Sequence, residues 1–250
     1  MSLQRPKDTG NERDHSSHRE EGEMYRLITT LALLVGVHPT SAVSGGLRGK
    51  SLIFSQPSST SYVKLLPRRF PELRSFTLCL FSATELTRNH ALFSYATPDN
   101  ANQLLFWVLG PQKFQLELAA QKIPFELPDP GSLLRHLCVS WESETGRITL
   151  WADGRRSLVK TARQGQKVTG GGVVILGQEQ DQVGGGFDAK QSFVGELSQV
   201  NLWDRVLGQR EVSEINRGCG CLGGNVIDWS TVAFESRGTV GISDSPECEL

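Results

Sequence analysis

The chain has 250 residues, with 26 Lys and Arg against 27 Asp and Glu and a formal net charge of −1. A balance this even provides no basic face, so nucleic acid and anionic membrane surfaces are excluded as principal partners. With 26 glycines and 38% hydrophobic residues the chain is too apolar for disorder, and its length suits one large all-β unit better than two domains.

Residues 1–23 are polar and charged, with almost nothing to bury, and read as a disordered leader. Met24-Tyr25-Arg26 then precedes an apolar run, Leu27 to Val37, which closes on Pro39 and the small residues Thr40-Ser41-Ala42. A basic start, a short apolar centre and small residues before a cut after Ala42 form the layout of a secretory signal. Residues 24–42 therefore predict a secreted, extracellular protein, against the competing reading of a buried helix or strand. The run is too short to span a bilayer, so no transmembrane span is expected. Residues 43–47 read as a linker, and 48–250 as the folded domain.

From Ser51 onward, short apolar or alternating runs recur between turn residues. They predict strands over 51–54, 61–65, 75–81, 90–95, 103–109, 113–118, 136–141, 147–152, 172–176 and 195–203, and so an antiparallel β-sandwich. Asp153-Gly154 lies between two of these runs and tolerates the positive φ that a tight hairpin needs.

The stretch Gly177 to Gln191 reads GQEQDQVGGGFDAKQ and gathers Glu179, Gln180, Asp181, Asp188 and Gln191 around three glycines. These are hard oxygen donors of the kind calcium takes six to eight at a time, without the nitrogen and sulfur that zinc prefers. A calcium loop is the functional reading; an acidic, solvated hairpin is the plain one. After the last predicted strand, Val212 and Ile215 lie three apart among charged residues, which predicts one short helix over 208–216 laid on a sheet.

Five cysteines are present. Cys79 and Cys138 each fall inside an apolar strand, so they form either a disulfide closing a loop of about 60 residues, worth a few kcal/mol, or a pair of reduced core thiols. Cys219, Cys221 and Cys248 cannot all pair within one chain, and Cys-Gly-Cys without a nearby histidine is a poor zinc motif.

The run His136-Leu137-Cys138-Val139-Ser140-Trp141 resembles the signature of the pentraxin family. Thr60 to Val63, Phe93 to Thr97, Ile175 to Asp181, and Gly195 to Leu197 through Asn201 to Asp204 resemble the same family, in the expected order across roughly 48–235. The resemblance implies a two-sheet jelly roll with one short helix. It also implies cyclic homo-oligomers and calcium-dependent binding of anionic ligands, through phosphate or carboxylate groups, in innate-immune pattern recognition. Residues 1–47 carry no heptads, so the chain resembles a short member or a truncated long one.

Carried over position by position, the resemblance assigns two Ca2+ per protomer to Glu179, the carbonyl of Gln180, Asp181, Asp188 and Gln191. The partner loop is assigned to Asp99-Asn100, with Ala101-Asn102 read as an insertion. Phe106 falls where the family has an apolar wall beside the ions. Lys122 falls where phosphocholine-binding members place a carboxylate, so a choline cation is disfavoured. Glu117 and Glu126 lie near Lys122 and would restore that carboxylate in a different strand register.

Two other classes share the sandwich. A jelly-roll glycosidase needs two carboxylates about 5 Å apart, and Glu179-Gln180-Asp181 begins such a pattern, but Val183-Gly184 stands where the second glutamate belongs. His136 reads as a packed core residue rather than a catalyst. No enzymatic activity is therefore expected. A laminin-G-like adhesion module is the remaining alternative.

Overall fold

The computed structural model describes residues 43–128, 131–218 and 222–245. The expected leader and signal over 1–42, and Cys219, Cys221 and Cys248, lie outside the described residues. In chain order the first strands are β1 (Val43–Gly45), β2 (Lys50–Phe54), β3 (Tyr62–Leu66), β4 (Ser75–Ala83), β5 (His90–Thr97), β6 (Asn100–Val108), β7 (Lys113–Leu118) and β8 (Gln121–Glu126). Then follow β9 (Arg135–Glu142), β10 (Arg147–Ala152), β11 (Arg155–Arg156), β12 (Lys160–Thr161), β13 (Val173–Leu176), β14 (Gly195–Trp203), the helix α1 (Gln209–Asn216), β15 (Ala233–Arg237) and β16 (Val240–Asp244).

These strands form two eight-stranded antiparallel sheets. One runs β1-β15-β3-β13-β5-β6-β7-β8, and the other β11-β10-β9-β4-β14-β2-β16 with β12 on β10. Strand alternation sends Phe76, Leu78, Leu80, Val139 and Trp141 of the second sheet toward Phe93, Tyr95, Leu104, Phe106 and Leu116 of the first, forming one continuous core. The described residues form the expected two-sheet jelly roll with a single short helix.

Each sheet also has an outer face. On the second sheet, Trp151, Trp203, Cys79 and Cys138 are covered by Leu207, Val212 and Ile215, the last two from α1. Glu211 accepts a hydrogen bond from the Gly208 N–H at 2.8 Å, satisfying one orphan donor at the start of the helix. Cys79 and Cys138 stand directly opposite each other on β4 and β9 and form a disulfide. Asp153 and Gly154 both have positive φ, at 51° and 72°, in the tight turn expected between β10 and β11.

The 43–47 segment departs from its reading as a linker. Val43–Gly45 adds an edge strand to β15, and Leu47 is 1% exposed in the core. β15 and β16 also lie outside the expected strands, because AFESR, between β1 and β3, and VGISD, at a sheet edge, carry little of the apolar pattern that marks interior strands.

His136 is buried, with Nε2 3.2 Å from Cys138 Sγ, and His90 is buried with Nδ1 2.9 Å from the Arg88 carbonyl. Burial lowers the pKa of both to about 4; on His90 the hydrogen bond to the Arg88 carbonyl opposes this and the Arg88 charge adds to it by less, and on His136 the charge of Asp153 opposes it. A folded-state pKa below the unfolded value means stability is fully present above about 6.5 and is lost as pH falls through about 4. Unfolding free energies measured from pH 7 to pH 4 should fall less steeply in His90→Gln/His136→Gln than in wild type, by up to a few kcal/mol. Parallel profiles would contradict this account of the two imidazoles.

Candidate metal site

The outer face of the first sheet is polar. Ser94 on β5 pairs with Leu105 on β6, Leu105 with Glu117 on β7, and Glu117 with Lys122 on β8, so these four side chains form one row across the face. A parallel row holds Ala91, Trp107, Gln115 and Pro124. Ala91, Leu105 and Trp107 pack together there, apart from the main core.

The loop after β13 folds onto this face, and its polar side chains fix it in place. Gly177 has φ +85°, and a Cβ there would stand 2.1 Å from the Phe54 ring, so only glycine lets the chain turn at this point. The Phe193 N–H donates to the Gly177 carbonyl at 2.9 Å and closes the base of the loop. Gln178 Nε2 donates to the Ser58 and Ser61 carbonyls. Gln180 is fully buried: its N–H donates to Ser94 Oγ at 3.2 Å, its Nε2 to the Ser94 and Val173 carbonyls, and its Oε1 accepts from the Gly184 N–H at 2.8 Å. The side-chain amide is thus committed to holding the loop, which leaves the Gln180 carbonyl as the atom to offer a cation.

Between these two buried glutamines lies Glu179, 3% exposed, whose Oε2 has no hydrogen-bond partner. Its pKa is raised to about 7, first by desolvation, then by the charges of Asp181 and Glu117. Asp181 is exposed and packs against Gly186, where a Cβ would come within 2.7 Å of the Asp181 Cβ. Asp188 is exposed; its Oδ1 accepts from the Lys190 N–H and its carbonyl from the Gln191 N–H, both at 2.9 Å. The Gln191 carbonyl accepts from the Ala91 N–H at 3.3 Å, tying the end of the loop to β5, and Gln191 Oε1 is buried without a partner.

The β5–β6 hairpin differs from expectation. Thr97 pairs with Asn100, which puts Asp99 in the turn itself, exposed, and the Asn100 Oδ1 accepts from the Asn102 N–H at 2.9 Å. It is the Asn102 Oδ1 that is buried without a partner. The carbonyls of Asn102 and Gln103 accept the N–H groups of Ala120 and Ala119 from the β7–β8 turn, which holds Asn102 in place. Both alanines are in the left-handed region, at φ 66° and 46°, an uncommon conformation for residues with a Cβ.

Phe106 does not line the face. It is 1% exposed and packs against Phe114 in the inter-sheet core, while its neighbours Leu105 and Trp107 point outward. A one-residue change of register exchanges the two faces of a strand, and two irregularities in the β5–β6 pairing make that register invisible to motif matching. Lys122 is on the outer face, 67% exposed, with Nζ 3.9 Å from Glu117 Oε1. Glu117, which the sequence offers only as an alternative carboxylate facing a choline cation, shares this face; its alternation with Phe114, Leu116 and Leu118 was the available signal.

The unpartnered oxygens of Glu179, Gln191 and Asn102 are buried acceptors without donors, an arrangement that suits an oxygen-loving cation. Among the described residues only Cys79, His136 and Cys138 crowd three Cys, His, Asp or Glu ligand atoms within 4.8 Å, and the disulfide consumes two of them. A cation at the loop would therefore draw on amide and carbonyl oxygens as well as carboxylates.

A profile of the Pentaxin family matches residues 50–244. Mucosal pentraxin of Bos taurus is 43% identical over 208 residues, covering 83% of this chain and 94% of that protein. C-reactive protein of Cavia porcellus is 38% identical over 223 residues, covering 88% and 97%. The crystal structure of a native heptameric SAP-like pentraxin from Limulus polyphemus superposes with a TM-score of 0.73 at 27% identity, covering 84% of this chain and all of that one.

Replacing Gln180 by Ala removes four hydrogen bonds and leaves the Ser94 and Val173 carbonyls with fewer donors. The variant should lose about 1–3 kcal/mol of stability and be cut faster by protease between 180 and 186. Unchanged melting and unchanged cutting would mean that Gln180 does not hold the loop.

Proposed function

This chain belongs to the pentraxin family, a family of non-enzymatic recognition proteins, and from that premise we propose that it is a secreted, calcium-dependent binder of anionic surfaces. The observation that carries the reading is that Glu179, Gln191 and Asn102 each keep a buried oxygen with no donor. Glu179, the Gln180 carbonyl, Asp181, Asp188, Gln191 and Asn102 would hold two Ca2+. Asp99 and Asn100 are set aside, since one is at the hairpin turn and the other is occupied by an N–H. Calcium bound there supplies a positive centre with coordination positions open to a phosphate or carboxylate oxygen.

The protein's own contribution is placement. Gln178 and Gln180 fix the backbone on either side of Glu179, and Leu105 and Trp107, not Phe106, are the large apolar side chains of β6 that turn to this side of the sheet, where they are buried together. Lys122 adds a positive charge on the same face. Single-site binding of this kind is weak, and a cyclic oligomer would convert it to avidity on repetitive surfaces; the Limulus relative was crystallised as a heptamer. Extracellular calcium modules fill at ~10⁻⁴ to 10⁻³ M, which agrees with secretion. Among the described residues no helix is long and apolar enough to cross a membrane. The laminin-G-like alternative is not favoured, because the family match covers nearly all the described residues.

Two measurements test the reading. Limited proteolysis should cut the Gly184–Gly186 segment in chelator and spare it in millimolar Ca2+; equal cutting in both would count against the calcium loop. Calcium-dependent retention on immobilised phosphocholine should be weak in wild type and increase in Lys122→Glu, because a carboxylate there faces the choline cation. Tight wild-type retention unaltered by the substitution would remove Lys122 from the ligand surface.

A further inference from the structure

Glu117 is 2% exposed, and its two oxygens have different surroundings. Oε1 accepts from Gln115 Nε2 at 2.7 Å and has Lys122 Nζ at 3.9 Å. Oε2 is buried and has no partner. The same holds for Oε2 of Glu179, the carboxylate that the 177–191 loop buries on this face. Two buried carboxylates, each with one oxygen withdrawn from water and undonated, repel one another when both are ionised, and a cation between them relieves that repulsion without a proton.

Charge counting points the same way. With Asp99 at the exposed hairpin turn and Ala101 and Asn102 following it, the β5–β6 hairpin brings no carboxylate to the site. Glu179, Asp181 and Asp188 then offer three negative charges against the four positive charges of two calcium ions. Glu117 restores the balance from a different strand. It sits in the Ser94–Leu105–Glu117 row, and Ser94 is the residue on which Gln180 is anchored, so β7 presents Glu117 to the part of the loop that carries Glu179.

We infer that Glu117 is a further metal ligand, its Oε2 joining Glu179 on the ion held by the 177–191 loop and replacing the acid expected at Asp99. This rests on the calcium reading above and extends it to a residue of the sheet itself. It also assigns Lys122 a second task, since its ammonium steadies the Glu117 oxygen that the ion does not use.

The test uses the full, oxidised chain in wild type, Glu117→Gln and Glu126→Gln, the last removing an exposed charge from the neighbouring strand. Calcium affinity is measured by calorimetry. Tb3+ luminescence lifetimes in H2O and D2O count the water molecules bound directly to the ion. Glu117→Gln should weaken Ca2+ binding about tenfold or more and add one bound water, while Glu126→Gln stays near wild type. Affinity of Glu117→Gln within about twofold of wild type overturns the inference and leaves the calcium loop standing. Weakened affinity with no added water also overturns it, because Glu117 would then act only as a distant charge. Absence of any Ca2+ uptake by wild type sinks the calcium reading and this inference with it. Should Glu117→Gln fail to fold, Glu117→Asp, which keeps the charge but withdraws the oxygen, takes its place under the same criteria.

Discussion

A carboxylate shut away from water next to other carboxylates is the constraint around which this face is organised. Glu179 is buried between Gln178 and Gln180, and its proton is held up to about neutrality by that burial and by Asp181 and Glu117. In the absence of a compensating cation such a cluster is costly to keep ionised. Folding nevertheless commits two buried glutamines, a glycine that only fits without a Cβ and several sheet carbonyls to holding Glu179 where it is. Structure is spent on keeping acceptor oxygens together and undonated, which is the opposite of what a purely structural loop requires.

The sandwich separates its two outer faces by role. One is sealed by α1 over the Cys79–Cys138 disulfide and the aromatic pair Trp151 and Trp203. The other presents the rows Ser94–Leu105–Glu117–Lys122 and Ala91–Trp107–Gln115–Pro124, with the 177–191 loop across their end. Both rest on the same core, so the position of each site side chain follows from strand register rather than from local loop flexibility. The Ala119–Ala120 turn shows how far this goes: two strained alanines are tolerated where their amides fix the backbone of Gln103 and Asn102.

Much of this was legible in the chain, and the remainder was hidden for physical reasons. The calcium loop could be read because its donors are close together in sequence, and the cysteine pair because each thiol interrupts an apolar strand. Asp153-Gly154 could be read because its φ demands are local. Phe106 could not, since one residue of register decides whether it or Trp107 faces outward, and the irregularities that set the register leave no mark in composition. Asn100 and Asn102 are two apart in one hairpin, and only the folded hydrogen bonds show which oxygen is taken. Glu117 looked like one more polar position in an alternating strand until its pairing brought it into the Ser94 row. β1 and β16 are edge strands and β15 lies next to an edge, all three short and with little apolar pattern, so their pairing is supplied by the rest of the sheet.

The most direct measurement is the number of calcium ions taken up by the purified, oxidised chain, by equilibrium titration in wild type and Glu179→Gln. The account predicts two ions per chain, saturating at or below millimolar Ca2+, with uptake sharply weakened by the substitution. No uptake at several millimolar, or equal uptake by the variant, would contradict it.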